Sequence, residues 1–356
     1  GTVISIWDIT EEKIAQNQMK YLGFHDSLTG LYNRAYFEEE LKRLNTDRYY
    51  PLSIIMGDLN GFKLINDVFG HLKGDEMLMQ MADILKKSCR KSDVIARYGG
   101  DEFVIVLPKA DEKVLKNVIS RIKKACRELN SSNSFITVSI GSATKYSNNM
   151  EMDSLVVEAE NMMYNAKIDE SREAKTLIFD HLKKDYQERR KNIRENLNSK
   201  LLIAERLGKS LGLSNKNLTE LKLLIKLHDI GMIVIPEEII NKPGILTQKE
   251  KKLIQKHSEA GYRIAESIKN VAVIADAILH HHENWDGSGY PKGLKGEEIP
   301  LLSRVAAVVN AYDAMVSDRP YRKALPPQMV REELENSKGK QFDPYLVDRI
   351  IYYLNF

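Results

Sequence analysis

One stretch constrains this chain more than any other: residues 93–107, DVIARYGGDEFVIVL. Two runs with β-branched and aromatic residues, VIARY and FVIVL, flank Gly99-Gly100, which is typical of a β-hairpin. A Gly-Gly turn tolerates positive φ at both central positions. Asp101 and Glu102 follow at the mouth of the second strand. Two carboxylates at such a place can hold a divalent cation and an approaching phosphate.

A second apolar run lies upstream of the hairpin. Residues 52–56 have strand character, and the run ends in Asp58, followed by Gly61-Phe62-Lys63 and a helical pattern. A strand-end carboxylate facing carboxylates on a neighbouring hairpin is the layout for metal-assisted phosphoryl transfer. For Gly-Gly-Asp-Glu alone, an ordinary hairpin with acidic residues near its turn is the alternative. The upstream run favours the functional interpretation.

Three segments carry a resemblance to a known family: DSLTGLYNR at 26–34, DLNGFKLINDVFGHLKGD at 58–75 and RYGGDEF at 97–103. Together they resemble the GGDEF domain of diguanylate cyclases, over about residues 20–180. The resemblance implies an α/β nucleotidyl-cyclase fold of the polymerase-palm type with a mostly antiparallel sheet. It also implies that two GTP molecules condense to cyclic di-GMP and release two pyrophosphates. Each domain would hold one GTP, so a homodimer is expected.

The resemblance also implies the metal site. Asp58, the backbone carbonyl of Leu59 and Asp101 would hold Mg²⁺ or Mn²⁺, and Asp101 or Glu102 would help to deprotonate the attacking 3′-hydroxyl. Mg²⁺ is a hard cation that prefers carboxylate, carbonyl and phosphate oxygens. It neutralises the charge of the triphosphate during in-line attack.

Phosphate contacts are expected from two places in the sequence. The backbone of Gly61-Phe62 would cradle the phosphates, and Lys63 would stabilise the transition state. Residues 159–172, AENMMYNAKIDESR, are similar to the family's closing helix, in which a lysine and a later arginine grip the phosphates. Lys167 matches that lysine. Arg172 stands one residue farther from it than in the family pattern, which leaves its role open.

Two polar pairs are assigned to guanine recognition. An Asp75 carboxylate can accept both N1–H and N2–H of guanine, and the Asn66 amide can serve O6 or N7, so the pair predicts GTP over ATP. Arg90 and Asp93 stand at the family's inhibitory product-binding position. An arginine fork and a carboxylate together can hold a guanine dinucleotide there.

Alternating periodicities predict the elements of this first domain. Helices are expected at 34–45, 62–70, 73–90, 111–129 and 153–168. Strands are expected at 52–58, 93–98, 102–107, 135–143 and 176–180.

The second half of the chain is helical in pattern and carries a second cluster of ligand-type residues. These are His228, Asp229, His257, His281 and His282. Imidazoles with a bridging carboxylate bind Fe, Mn or Zn. With KPG at 242–244, HHENWDGSGYPKGLKGEEIP at 281–300 and FDP at 342–344, residues 190–356 resemble an HD-GYP domain. The resemblance implies an all-α HD-superfamily fold and hydrolysis of cyclic di-GMP by a metal-activated hydroxide.

Four positions depart from that family's pattern. Asn192, Asn196 and Asn310 stand where the family has metal ligands, and Met232 replaces a lysine. Amide oxygens coordinate transition ions weakly. We therefore expect one ion or fewer and impaired hydrolysis, unless Glu188 or Glu195 substitutes for a lost ligand.

Length and composition limit the remaining classes. The 356 residues predict three parts: the end of a PAS-like sensor with a coupling helix at 1–22, a GGDEF domain at 23–180 and an HD-GYP domain at 181–356. An N-terminal arm is the alternative for the first part. The 53 Lys and Arg against 50 Asp and Glu do not predict nucleic-acid binding. Two cysteines without metal spacing predict a cytoplasmic protein. Membrane attachment is expected only through a preceding region.

The sequence thus predicts a diguanylate cyclase joined to an HD-GYP module that is impaired as a phosphodiesterase. Two alternatives stay open. In one, the HD-GYP half is an active phosphodiesterase regulated by GTP bound to the first domain. In the other, the chain is a non-catalytic receptor of cyclic di-GMP that uses Arg90 and Asp93.

Overall fold

The structure of the protein is a computed structural model that describes residues 21–130, 135–189, 197–317 and 323–353. The expected sensor remnant at 1–22 lies almost entirely outside the described residues. The chain divides into two compact units, Gly1–Lys175 and Thr176–Phe356. Within the described ranges, every helix is too short or too polar to cross a membrane.

The first unit is built on one five-stranded sheet with the order β1-β3-β4-β2-β5. The strands are β1 (Tyr32–Asn33), β2 (Leu52–Leu59), β3 (Val94–Gly99), β4 (Glu102–Leu107) and β5 (Val138–Lys145). Only the β1–β3 pair is parallel; the other three pairs are antiparallel. The expected mostly antiparallel sheet is confirmed.

Strand β2 lies between β4 and β5 and is buried along its whole length. Its apolar run LSIIMGDL has no polar alternation because both faces of the sheet are covered. Ile54 and Met56 belong to the core cluster with residues of β3, β4 and the first helix of the unit. The strand therefore holds Asp58 at a fixed point near the edge of this core.

Five helices accompany the sheet: α1 (Arg34–Leu44), α2 (Phe62–Phe69), α3 (His71–Ser88), α4 (Glu112–Asn130) and α5 (Met152–Arg189). Asn33 caps α1, since its side chain accepts from the N–H of Tyr36. Gly61, with φ of 75°, ends the loop after β2 and begins α2. The predicted helices agree with the observed ones within a few residues, except at the end of α5.

The predicted strand at 176–180 is wrong, because these residues lie inside α5. A five-residue window, TLIFD, has β-type composition. The longer window shows buried residues every four positions, at Ala174, Ile178, Leu182 and Tyr186. That spacing marks one face of a helix, and length decides between the two interpretations.

The two hairpin glycines differ in backbone conformation. Only Gly100 has positive φ, at 38°. Gly99 remains in β3 and pairs with Glu102, after a register shift that follows Arg97. The irregularity tightens the end of the hairpin, so the turn needs only one left-handed residue.

The second unit is helical. After the end of α5, its helices are α6 (Leu197–Ser210), α7 (Asn215–Leu227), α8 (Glu237–Ile240), α9 (Gln248–Glu266), α10 (Ala275–Leu279), α11 (Leu301–Val316), α12 (Pro327–Ser337) and α13 (Pro344–Tyr353). Within residues 197–317 and 323–353 the chain forms no β-strand and has only an isolated β-bridge. The all-α expectation is confirmed. Ser214 caps α7, and Thr247 with Glu250 forms a capping box at α9.

One glycine in each unit allows a close backbone contact. A Cβ added at Gly141 in β5 would lie 2.0 Å from the carbonyl oxygen of Ala159 in α5. A Cβ added at Gly231 would lie 1.9 Å from the carbonyl oxygen of His257 in α9. Both neighbours are backbone atoms, which cannot move aside as a flexible side chain can. Each unit therefore depends on glycine next to the elements that carry its candidate site.

Candidate functional sites

The first candidate site lies where β2 and β4 end side by side. Asp58 is the register partner of Glu102 across the two strands. The N–H of Leu59 donates to the carbonyl oxygen of Asp101 at 3.1 Å. Asp58 is only 2% exposed, whereas Asp101 and Glu102 are half-buried. The structure thus brings the three predicted carboxylates to one end of the sheet.

The two oxygens of Asp58 have different surroundings. Lys167, on α5, donates from Nζ to Oδ2 at 2.6 Å. Oδ1 is buried and has no hydrogen-bond partner among the described residues. Burial raises the pKa of Asp58, the Lys167 hydrogen bond lowers it, and the charges of Asp101 and Glu102 raise it, so that it lies above its usual value. This carboxylate lacks a full set of partners and is suited to a cation.

The predicted phosphate-binding residues follow directly after β2. Gly61 provides the left-handed turn, and Phe62 and Lys63 form the first turn of α2. Lys63 is exposed. The backbone N–H groups at the start of a helix, together with a lysine, attract an anion. These three residues therefore form the start of the helix that directly follows the strand of Asp58.

The guanine-assigned residues lie close together. Asn66 on α2 packs against α3, since a Cβ added at Gly74 would lie 1.9 Å from Asn66 Oδ1. That oxygen is buried without a hydrogen-bond partner in the described part of the chain. Asp75 follows Gly74 and is half-buried. The absence of a side chain at Gly74 thus lets Asn66 approach α3 one residue before Asp75.

The predicted product-binding pair lies just before β3. The backbone N–H of Arg90 donates to Asp93 Oδ2 at 2.7 Å, which closes a local turn. The Arg90 side chain is exposed. The contact between the two residues is therefore made by the arginine backbone.

Sequence reasoning missed a contact between two of the motifs that it quoted. Arg97 donates to the carbonyl oxygen of Gly100 at 2.7 Å and to Asp26 Oδ2 at 3.2 Å. Asp26 Oδ1 also accepts hydrogen bonds from the backbone N–H and the side-chain hydroxyl of Thr29. Arg97 thereby links the turn at 26–30 to the hairpin turn. The signal was the arginine two residues before the Gly-Gly pair, but residues 71 positions apart share no periodicity.

The second candidate site is a cluster of imidazoles around one carboxylate. Asp229, His257, His281 and His282 each offer a ligand atom, and these atoms lie within 4.8 Å of one another. Asp229 Oδ1 lies 3.5 Å from His257 Nε2 and 3.4 Å from His281 Nε2. The fifth predicted residue, His228, contacts the other oxygen, with Nε2 at 3.1 Å from Oδ2. The structure brings together all five predicted residues.

Backbone hydrogen bonds orient three of these rings. Nδ1 of His228, His257 and His281 lies 3.1, 2.7 and 2.6 Å from the carbonyl oxygen three residues earlier. Since a carbonyl oxygen only accepts, Nδ1 carries a proton, and Nε2 is the ring atom that faces Asp229. A ring held in this way is ready to bind a metal through Nε2.

Burial disfavours the charged form of two imidazoles in the second site, whereas the central carboxylate is held ionised by its neighbours. Burial lowers the pKa of His282 to about 2, helped by the neighbouring His281. Burial also lowers the pKa of His257. Burial acts to raise the pKa of Asp229, but His228 and His281 outweigh it and hold the value well below normal.

Glu283 was missed in the sequence, although it follows the two adjacent histidines directly. It is buried and accepts from the N–H groups of Lys292 at 2.7 Å and Leu294 at 3.2 Å. The loop that it holds carries Tyr290, whose ring stacks on His282 at 4.9 Å between centroids. Glu283 therefore positions a wall of the site.

Of the four departures from the family pattern, the structure describes Asn310 and Met232. Asn310 Oδ1 is buried without a hydrogen-bond partner in the described part of α11 and its surroundings. Met232 lies in a short 3₁₀ helix, Ile230–Val234. Asn192, Asn196 and Glu195 lie outside the described residues, and Glu188 is exposed on α5. A buried pair that was not predicted, Lys200 and Asp313, joins α6 to α11 at 3.5 Å.

Comparison with protein families divides the chain in two. Residues 23–173 match the family described as diguanylate cyclase, GGDEF domain, and residues 174–346 match the family described as HD domain. In solved structures, a similar fold is the coiled coil and GGDEF domain of DgcB from Caulobacter crescentus in complex with c-di-GMP. That match has 24% identity and a TM-score of 0.41, covering 45% of this chain and 88% of the other.

Several curated proteins are similar over part of their length. A cyclic di-GMP phosphodiesterase of Thermotoga maritima is 41% identical over 42% of this chain and 41% of its own length. The response regulator RpfG of Xanthomonas campestris, a cyclic di-GMP phosphodiesterase, is 38% identical over 42% of this chain and 40% of its own. A 3′3′-cGAMP-specific phosphodiesterase of Vibrio cholerae is 38% identical over 42% and 29%. The matches therefore span 29% to 41% of the length of these relatives.

Proposed function

We propose that this chain, a GGDEF domain followed by an HD domain, condenses two GTP molecules into cyclic di-GMP at the site between β2 and β4. One observation carries the proposal: Asp58, Asp101 and Glu102 converge at one sheet end, with Asp58 Oδ1 buried and without a partner among described residues. A fully buried carboxylate beside two others is costly unless a cation balances it.

The residues present fit a magnesium ion. All the donors are oxygens, from Asp58, Asp101 and the carbonyl of Leu59, as a hard cation requires. The unpartnered Asp58 Oδ1 is a further reason for a ligand at this point. When bound, the ion supplies positive charge that offsets the triphosphate. Mn²⁺ would serve the same donor set.

The remaining chemistry comes from the protein. The loop at Gly61 and Phe62 would hold the phosphates with its N–H groups, and Lys63 would neutralise charge that develops in the transition state. Glu102 or Asp101 would take the proton of the attacking 3′-hydroxyl. Because each domain holds one GTP, two chains must face each other. The working form would be a homodimer that draws on cytoplasmic GTP.

Guanine selection would come from Asn66 and Asp75. A carboxylate that accepts from N1–H and N2–H has no such partners in adenine, which reverses the donor at that edge. We expect Asp75→Ser to lower the preference for GTP over ATP by about one to two orders of magnitude, as loss of a paired polar contact does. An unchanged ratio would remove Asp75 from the recognition site. Arg90 and Asp93 are proposed to bind the product and inhibit synthesis.

We propose that the HD domain is impaired as a phosphodiesterase. Its four clustered ligand groups fit a single Fe, Mn or Zn ion, because three nitrogens and one carboxylate oxygen form a sufficient set for such ions. A second ion would need the carboxylates that Asn192 and Asn310 do not supply. The domain would then act in dimerisation or in sensing nucleotide.

A second function has its own support. The imidazole cluster is assembled and oriented, and the similar curated proteins are named phosphodiesterases. In this alternative the HD domain hydrolyses cyclic di-GMP, and GTP at the first site regulates it. The third alternative, a receptor without catalysis, would need only Arg90 and Asp93.

One assay distinguishes the three alternatives. The purified protein is incubated with GTP and Mg²⁺ and, separately, with cyclic di-GMP and Mn²⁺ or Fe²⁺, and the nucleotides are resolved by chromatography. We expect cyclic di-GMP in the first reaction and little product in the second. Cleavage that outpaces synthesis would support the phosphodiesterase alternative instead. Binding of cyclic di-GMP with neither reaction would support the receptor.

A further inference from the structure

The ion pair between Lys167 and Asp58 occupies the carboxylate that the metal also needs. Lys167 Nζ lies 2.6 Å from Asp58 Oδ2. Burial acts to lower the pKa of Lys167, but Asp58, Asp101 and Glu102 together outweigh it and raise the pKa. The Lys167 ammonium is therefore attracted electrostatically to all three carboxylates of the cluster. It serves as their counter-ion within the protein.

An ammonium and a divalent cation compete for such a cluster. Both are attracted to the same buried carboxylate, and at ligand distances they repel each other strongly, because the low local dielectric screens little. Asp58 Oδ1 is the oxygen without a partner among described residues, but a cation bound there would lie within a few ångströms of the ammonium on Oδ2.

The two members of the pair differ in their freedom to move. Asp58 lies in the central strand and is 2% exposed, so it cannot follow a departing partner. The Lys167 side chain is 40% exposed on a long, flexible stem. It is rooted one turn after Met163, which is buried in the core and holds α5 in place. Only the lysine side chain needs to change rotamer when a cation arrives.

We propose that Lys167 is a displaceable counter-ion: a divalent cation that binds Asp58 releases the Lys167 ammonium, which then turns to the triphosphate. This inference rests on the proposed function, since it takes Asp58 as a metal ligand. It assigns Lys167 a role before substrate binding, which differs from a lysine that only grips phosphates. It also orders the events, because the lysine becomes available to phosphate only once the metal is in place.

The first test measures Mn²⁺ binding without nucleotide, by electron paramagnetic resonance of the full chain. Four proteins are compared: the parent, Lys167→Met, Asp58→Asn and Lys123→Met. Lys123 is a matched control, because it is also part-exposed and pairs with a carboxylate of α5, Glu170, at 2.8 Å. Asp58→Asn defines which part of the Mn²⁺ binding belongs to this site, since the histidine cluster also binds Mn²⁺.

We expect Lys167→Met to tighten the Asp58-dependent Mn²⁺ binding roughly tenfold or more, since a competing cation has been removed. Lys167→Arg, which keeps the charge, should stay near the parent, and Lys123→Met should not change. Unchanged or weaker Mn²⁺ binding in Lys167→Met would overturn the counter-ion role. If Asp58→Asn leaves Mn²⁺ binding intact, the metal site itself, and hence the proposed function, is wrong.

The second test follows the lysine itself. Brief acylation and mass spectrometry measure the reactivity of Lys167 with and without Mn²⁺, again without nucleotide, with Lys123 as the internal reference. Release from Asp58 should increase the labelling of Lys167 severalfold, because a free ammonium deprotonates more readily than a paired one. Labelling that stays constant, or falls, when Mn²⁺ saturates the site contradicts displacement.

Discussion

The two candidate sites offer a cation opposite kinds of donor atom. The site between β2 and β4 offers only oxygens, from strand ends and a turn, whereas the second site offers imidazole nitrogens around one carboxylate. Hard oxygen donors favour Mg²⁺ or Mn²⁺, and imidazoles favour Fe or Zn. One chain therefore offers two donor sets that favour different ions, with Mn²⁺ as an ion that both sets can accept.

The pKa values of the central aspartates of the two sites are shifted in opposite directions, although burial acts to raise both. Burial and two neighbouring carboxylates raise the pKa of Asp58 despite Lys167. Asp229 experiences burial too, but His228 and His281 hold its pKa well below normal. The neighbouring charged and polar groups, rather than burial, decide whether the pKa of each aspartate is raised or lowered. Asp58 gains most from an added cation, whereas Asp229 is already stabilised by the imidazoles around it.

The sharpest test of this comparison removes the charge of Asp58. Asp58→Asn should lower the rate of cyclic di-GMP synthesis by roughly a thousandfold, because a metal ligand contributes several kcal/mol to charge stabilisation. Any hydrolysis by the HD domain should not change. Asp83→Asn, an exposed aspartate on α3, is the control. A rate within a few fold of the parent would exclude Asp58 from the reaction.

A matched pair of glycine substitutions tests whether the units fold on separate cores. Gly141→Ala and Gly231→Ala would each place a methyl group about 2 Å from backbone carbonyl oxygens. Each should destabilise its own unit by about 3 kcal/mol, at the high end of overpacking. Hydrogen exchange, measured by mass spectrometry, should increase in one unit only. Gly23→Ala, with open space around the new methyl group, is the control.

Removal of the carboxylate from the second site should separate metal binding there from synthesis. Asp229 contacts His228, His257 and His281. Asp229→Asn should reduce the affinity for Fe or Zn by about 10- to 100-fold, with cyclic di-GMP synthesis unchanged. Elemental analysis of the purified chains measures the loss. Two Fe or Zn ions per parent chain would refute the one-ion expectation for the HD domain.

The smallest expected effect is a difference in acid sensitivity. The pKa of His282 is lowered by burial to about 2, below its value in the unfolded chain, about 6.5. As the pH falls below that value the unfolded state takes up the proton first, so the second unit should lose about 1 kcal/mol per pH unit. The pKa of Asp58 is raised, so the folded state takes up that proton before the unfolded state does. Its contribution to the stability of the first unit therefore increases as the pH falls. Chemical denaturation of the metal-stripped protein at pH 7.5, 6.5 and 5.5 measures the difference.

Much of the first site could be predicted from sequence because its residues are close to strand ends. The runs at 52–58 and 102–107 identify β2 and β4, and their antiparallel register brings Asp58 opposite Glu102. The histidine cluster was predictable for another reason. Adjacent histidines and a His-Asp pair are a pattern of ligand-type side chains, so the local sequence indicated these residues as metal ligands. Folding then brought their ligand atoms within 4.8 Å of one another.

Local windows failed where a longer range decided the structure. The strand expected at 176–180 is part of α5, because its apolar residues continue a four-residue repeat that a short window hides. The contact of Lys167 with Asp58 spans 109 positions, and that of Arg97 with Asp26 spans 71. No local pattern encodes such a distance.

The sequence by itself determined which donor atoms each half carries and which strands and helices present them, because residue type and periodicity are local properties. Only the tertiary structure decided how those donors are shared. Asp58 gives one oxygen to Lys167 and keeps the other without a partner in the described chain, and Asp229 divides its oxygens among three histidines. Partnership depends on distances of a few ångströms between segments far apart in the chain, and packing alone sets them.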